Sequence, residues 1–421
     1  MKTFIRFIKA FGKSTGLGLL ILFSICWSYK PPVLQPGNWR AAIERPDGQQ
    51  IIFNFETKDS LGKTILYVIN GAERLLVDSI VMKQDSVYIH MPFFESAFMA
   101  RLTPGGDLAG EWIKDLGKTI QRLPFRAYFN KQARFESPIP AVSNISGRWA
   151  ADFVNSNGKV SQLVGEFVQE GARLTGTFLD PTGDFRFLEG VVSGDSLKLS
   201  AFDGGHAYLF TAKIDNTHKI SGGKFYSGAR GIQEWTAIRD EKATIPDGYH
   251  GTQSIKDAAR LNFSFPRTPD GKLISSTDKE YTNKVVVVQL LGSWCPNCMD
   301  ETQFLSDYYK KNKHKGVEVI GIAYERTTDF KKSVEALRSF RERLNVQYPI
   351  LVTDVAVSDT LRAEKTLPRL GKIDAFPTTI FLDKKGQVRK IHKGYSGPAT
   401  GEHYEVFKKA FEATIEDLLA E

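Results

Sequence analysis

The stretch Lys284-Val285-Val286-Val287-Val288-Gln289-Leu290-Leu291-Gly292-Ser293-Trp294-Cys295-Pro296-Asn297-Cys298 decides how the end of the chain folds. Lys284 to Leu291 is almost continuously apolar, the pattern of a strand buried on both faces. Pro296 suits the first position of a helix, where its missing N–H leaves no partner unsatisfied. The two cysteines therefore fall where a strand ends and a helix begins. That first turn offers unpaired backbone N–H groups and the positive end of the helix dipole, both of which stabilise a thiolate at Cys295. Cys298, almost one turn further on, is expected to face the interior beside it. The spacing predicts a division of labour: Cys295 attacks a substrate disulfide, and Cys298 resolves the mixed disulfide.

The chain has 421 residues and three cysteines, and the third, Cys26, lies in an N-terminal leader. A structural disulfide normally closes a longer loop, and a C-x-x-C loop constrains the unfolded chain very little. The use of the pair is chemical. Downstream, Glu301 to Lys313 reads as helix, Val317 to Ala323 as a second buried strand, and Phe330 to Leu344 as amphipathic helix. Tyr348 to Val352 is a short strand, Thr378 to Leu382 and Val388 to Lys393 form a hairpin, and Tyr404 to Leu419 closes as helix. Residues 245–421 thus form an α/β domain with a mixed sheet.

Upstream, short alternating runs broken by Gly, Asn and Asp predict antiparallel strands, among them Ile51 to Phe55, Thr64 to Ile69, Val87 to His90, Leu197 to Phe202 and Tyr208 to Lys213. Gly37-Asn38-Trp39 recurs as Gly147-Arg148-Trp149, and Asp85-Ser86-Val87 as Asp195-Ser196-Leu197, both at an offset of 110. That register predicts two copies of one all-β module, at 37–135 and 142–240, joined through Glu136 to Ala141. About eight strands per copy suit a small barrel, with Trp39 and Trp149 as core plugs. The chain reads as multidomain: two antiparallel barrel-like repeats followed by the α/β domain.

The formal net charge is +8, and Lys2, Arg6, Lys9 and Lys13 account for half of it. No basic cluster interleaved with aromatics follows, which argues against a nucleic-acid partner. A basic stretch, an apolar run from Leu17 to Trp27 and a polar, proline-rich segment predict that 1–28 is an export signal. Cys26 ends the run as in bacterial lipoprotein signals, though Ile25 stands where these carry a small residue. Lipidation with a membrane tether, an uncleaved anchor and removal with the leader are all open, in a periplasmic or cell-envelope protein.

Trp294-Cys295-Pro296-Asn297-Cys298 after a hydrophobic strand, with Phe376-Pro377-Thr378-Thr379 before a later one, resembles the thioredoxin superfamily and within it the exported TlpA/ResA-type thiol-disulfide reductases. The resemblance covers residues 255–420. It implies reduction of disulfides in client proteins; an exported dithiol in an oxidising compartment then needs a membrane electron carrier to restore it, and no cofactor beyond the Cys295/Cys298 pair is expected. It further implies a strand addition at Arg260 to Thr277, an insertion at Gln347 to Ile373, and a cis bond before Pro377 that frees the backbone of Phe376 for an extended client. Trp294, Pro296 and Thr378 complete the motifs. Gln289 departs from the pattern, standing where thioredoxins carry a buried aspartate, so Glu325 is the carboxylate nominated for proton transfer.

The seven histidines show no metal-ligand spacing, so no metal is expected, and Gly292-Ser293-Trp294-Cys295 lacks the Thr/Ser-x-x-Cys setting of a thiol peroxidase. A non-enzymatic protein binding ligands or partners through its β modules is the other alternative. The modules hold no cysteine and are expected to contribute recognition, with rims at Phe93-Phe94 and Phe202 to His206. A fragment beginning near Thr244 is expected to fold and reduce insulin alone.

Overall fold

The computed structural model describes residues 34–117, 119–245, 252–254 and 260–421. The leader at 1–28 and Cys26 lie outside the described residues. Among the described residues, no helix is long and apolar enough to cross a membrane.

Two nine-stranded antiparallel sheets precede the α/β region, one strand more in each than the sequence pattern suggested. In the first, Gly37–Glu44 pairs with both Gln50–Ser60 and Ile120–Phe129. In the second, Gly147–Val154 pairs with both Val160–Glu170 and Gly231–Arg239. A further pairing of Val160–Glu170 with Arg173–Asp180 closes the second sheet on itself, which removes its open edges. Gly37 and Gly147 begin their strands with φ of 146° and 112°, values a side chain would resist.

Aromatic rings fill both interiors. Trp39, Phe53, Phe55, Phe98, Trp112 and Phe125 are buried in the first, and Trp149, Phe153, Phe178, Phe210, Phe225 and Trp235 in the second. The indole N–H of Trp39 donates to Thr57 Oγ1 at 2.9 Å, and that of Trp149 to the Ile145 carbonyl at 2.9 Å. Each plug is thus a satisfied core residue.

The sheets share a core. Phe202, on the second, stacks on Phe53 of the first at 4.3 Å between ring centres and is fully buried with the first sheet's residues. Arg134, also buried, donates to the carbonyls of Ser200, at 3.0 Å, and of Ile69, and pairs with Glu189 at 3.5 Å. Its bonds join the two sheets, so the described residues pack as one compact unit.

The third sheet is mixed and six-stranded. Its order is Thr252–Ser254, Val388–Lys393, Thr378–Leu382, Val285–Leu291, Val317–Ala323 and Ile350–Val352. Val285–Leu291 runs parallel to Val317–Ala323 and antiparallel to Thr378–Leu382, and all seven of its residues are buried. Val285, Val287 and Leu291 face helices α1 (Pro296–Asn312), α2 (Phe330–Arg343) and α4 (Glu402–Ala420). Val286, Val288 and Leu290 face Leu261, Phe263 and Phe265 and the short helix α3 (Arg362–Thr366). The alternation along one strand thus sorts two cores.

Truncating the ring that joins the two β sheets tests their shared core. Phe202→Ala is expected to lower stability by about 3–5 kcal/mol in urea denaturation, whereas a loss under about 1 kcal/mol would show that the sheets do not depend on it.

Candidate active site

The strand Val285–Leu291 delivers the chain to Cys295, which caps α1 in an extended conformation, φ −106° and ψ 110°. Its sulfur accepts from the backbone N–H of Cys298 at 3.2 Å, one of the donors a helix start leaves unpaired. Pro296 occupies the first turn, as its fixed φ favours. The two sulfurs are joined as a disulfide with Cα atoms 5.2 Å apart. Cys295 is 5% exposed and Cys298 fully buried.

The distant Phe376-Pro377 segment lies against this turn. The Phe376–Pro377 bond is cis, and the Phe376 carbonyl is 3.7 Å from Cys295 Sγ. Thr378 Oγ1 donates to the Ala375 carbonyl at 2.9 Å, and the Pro377 carbonyl accepts from Gly394 at 2.8 Å. Trp294 meets Phe376 edge-on at 5.5 Å, and its indole N–H donates to the Tyr324 carbonyl at 2.9 Å. The structure therefore brings together Trp294, Cys295, Pro296, Cys298, Phe376, Pro377 and Thr378.

Behind Cys298 lies a polar network with no exposure to water. Gln289 donates to Glu301 Oε2 at 2.8 Å and to the Cys298 carbonyl at 3.4 Å, and accepts from Thr302 at 2.9 Å. Thr379 donates to Glu301 Oε1 at 2.6 Å. Burial pushes the Glu301 carboxyl up to about 7, against the pull of these two hydrogen bonds. Gln289 thus holds a carboxylate in place of being one.

Glu325 is also buried and pushed up to about 7 by desolvation. It accepts from the Ser293 N–H at 2.8 Å and the Ser293 hydroxyl at 2.7 Å, and so braces the loop before Trp294. Glu301, absent from the sequence nominations, is bonded to the residue that touches Cys298. Its signal was the i,i+3 spacing from Cys298, which puts both on one face of α1.

The β sheets reach this site. Phe93 and Phe94 are not an open rim: both are buried in the same cluster as Cys295, Cys298 and Met299, with Phe93 edge-on to Phe340 at 6.3 Å. Phe94 and Glu95 hold left-handed backbone, φ 67° and 47°, in the turn that aims these rings. Gly205 admits Phe94, since a Cβ there would approach its ring to 2.7 Å. A fragment beginning near Thr244 would strip this cover from Phe340. Among the described residues, no group of three or more His, Cys, Asp and Glu is placed to hold a metal ion.

The Redoxin family model matches residues 255–406. The thiol-disulfide oxidoreductase ResA of Bacillus cereus is 25% identical over 152 residues, 36% of this chain and 78% of that protein. This region of the chain belongs to the thiol-disulfide oxidoreductases of the thioredoxin superfamily. A second relative of the oxidoreductase region, ResA of Geobacillus thermodenitrificans, is 29% identical over 115 residues, 27% of this chain and 58% of that protein. A thiol:disulfide interchange protein of the thioredoxin family from Chlorobium tepidum, solved by crystallography, is similar at a TM-score of 0.29 and 21% identity, covering 40% of this chain and 99% of that one.

The two buried carboxyls of the oxidoreductase site carry a pH dependence. Because the folded pKa of Glu301 and Glu325 lies above the ordinary value of 4.5, the folded chain holds more protons than the unfolded chain between about 4.5 and 7. Their contribution to stability therefore falls as pH rises through that window. Glu301→Gln is expected to be near neutral at pH 5 and to stabilise by on the order of 2–3 kcal/mol at pH 8. An equal effect at both pH values in urea denaturation would contradict this.

Proposed function

We propose that this chain reduces disulfides of client proteins in the cell envelope through Cys295 and Cys298, and that a membrane electron carrier re-reduces it. The observation that carries this reading is the placement of Cys295 as the cap of α1 with the Phe376 carbonyl beside its sulfur, while Cys298 is buried behind it. In the reduced form, the Cys295 thiolate attacks one sulfur of the client disulfide. The second client sulfur leaves as a thiolate and takes a proton. Cys298 then loses its proton and attacks Cys295 Sγ, which expels the first client sulfur and forms the disulfide. Two electrons pass to the client, and the carrier returns two.

Glu301 is the proton acceptor we assign to Cys298, since its buried carboxyl is poised near 7 and Gln289 holds it beneath the Cys298 backbone. Glu325 is assigned to positioning Ser293 and Trp294 and not to proton transfer. Direction follows from charge: anionic carboxylates beside the pair disfavour a second anion on sulfur, which disfavours the dithiolate form and makes the dithiol the better electron donor. The basic, then apolar leader at 1–28 supports export, and Cys26 a membrane tether. The duplicated β modules are assigned to client selection.

Insulin reduction by the full chain, with dithiothreitol as donor, tests the reading. Cys298→Ser is expected to accumulate a mixed disulfide with client through Cys295, and Cys295→Ser none, by non-reducing gel and mass spectrometry. Equal trapping by both variants would refute the assigned roles.

A further inference from the structure

A single buried guanidinium ties both β sheets to the turn that carries the cysteines. Arg186 follows the short strand Gly183–Asp184 of the second sheet and is 5% exposed. It pairs with Glu73 from the first sheet, with Asp203 at 3.7 Å from the second, and with Asp300 at 2.6 Å on α1, two residues past Cys298. It also reaches the carbonyl of Pro296, between the cysteines, at 3.4 Å. Burying a guanidinium is costly, and convergence of several carboxylates is what keeps this one charged.

The backbone around Arg186 is seated on the site as well. Asp184 accepts from the Gly397 N–H at 2.8 Å, and a Cβ on Gly183 would collide with the side-chain amide of Asn297. Residues 183–186 therefore abut both positions between the cysteines and the loop before α4. The charged groups that meet here are Glu73, Asp180, Asp184, Asp203 and Asp300, against Arg186, with His206 on Asp203 at 3.3 Å and Lys114 close by. Arg186 is the guanidinium that meets the Asp300 carboxylate and the Pro296 carbonyl at the first turn of α1.

We propose that Arg186 is a positioning residue of the redox site, through which the β modules set how readily Cys295 is held as a thiolate. This rests on the exchange reading of Cys295 and Cys298 given above. By gripping Asp300 and the Pro296 carbonyl, the guanidinium fixes the first turn of α1 and sets its positive charge against the carboxylates there. The direction is defined. Losing Arg186 disfavours the Cys295 thiolate, and losing the Asp300 charge, with Arg186 kept, favours it.

The test uses the full chain, chemically reduced, with iodoacetamide alkylation of Cys295 followed from pH 5 to 9 by mass spectrometry, beside equilibration with glutathione. Arg186→Gln is expected to slow alkylation about tenfold below the thiol pKa and to disfavour the reduced form about tenfold, a potential more negative by about 30 mV. Arg186→Lys should stay near the parent chain. Asp300→Asn should move both readouts the opposite way, above pH 7 where Asp300, pushed up to about 7 by burial, is ionised. A purely structural role would move both variants in one direction, and that result, or no shift in either, overturns the proposal. If Arg186→Gln does not fold, Asp300→Asn decides alone, and alkylation no faster than in the parent chain overturns it. If the parent pair fails to equilibrate with glutathione, the exchange reading falls, while the alkylation profiles still judge Arg186.

Discussion

The unpaired N–H groups at the start of α1 are the constraint around which the rest is arranged. A helix must satisfy its first donors, and here a sulfur does so for the Cys298 N–H. That requirement explains why the strand Val285–Leu291 ends where it does, with a short Gly292-Ser293 turn that presents Cys295 as the cap. It also explains why the site's polar groups gather at one end of the sheet. Gln289 and Glu301 lie beneath the turn, Glu325 braces its approach through Ser293, and the Phe376 carbonyl meets Cys295 from the side.

Two opposing fields act on that turn. The helix dipole and Arg186 favour negative charge on sulfur, while Glu301 and the carboxylates around Arg186 oppose it. On the proposal made here, the balance between them, and not the Cys-x-x-Cys spacing by itself, sets how reducing the pair is. Placing part of that balance on residues from the β sheets couples the redox centre to modules that contain no cysteine.

What could be read from the sequence follows the range of the signal. Runs such as Val285 to Leu291 announce themselves through local periodicity, and the Cys-x-x-Cys pair through its spacing. Two nine-stranded sheets followed by a mixed sheet also match the alternation. The contacts that were missed span long separations: Phe202 with Phe53, Phe93 with Phe340, and Arg186 with Asp300. Phe93-Phe94 and Phe202 broke the strand alternation, and so looked like exposed rims, because each leaves its own sheet to fill a neighbouring core. Glu325 sits in the loop after Val317–Ala323, where burial leaves no mark on local hydrophobicity, yet it is 4% exposed and braces Ser293, a role its sequence position did not reveal.

The central claim is that Cys295 and Cys298 form one reversible two-electron couple poised as a donor. Equilibrating the full chain in graded dithiothreitol and glutathione buffers, quenching with an alkylating reagent and weighing the products measures this directly. The account predicts a single transition between a doubly alkylated and an unmodified pair, at a potential below about −230 mV, on the thioredoxin side of the glutaredoxins. Cysteines that do not equilibrate, or a midpoint near the roughly −120 mV of a strong oxidant, would contradict it.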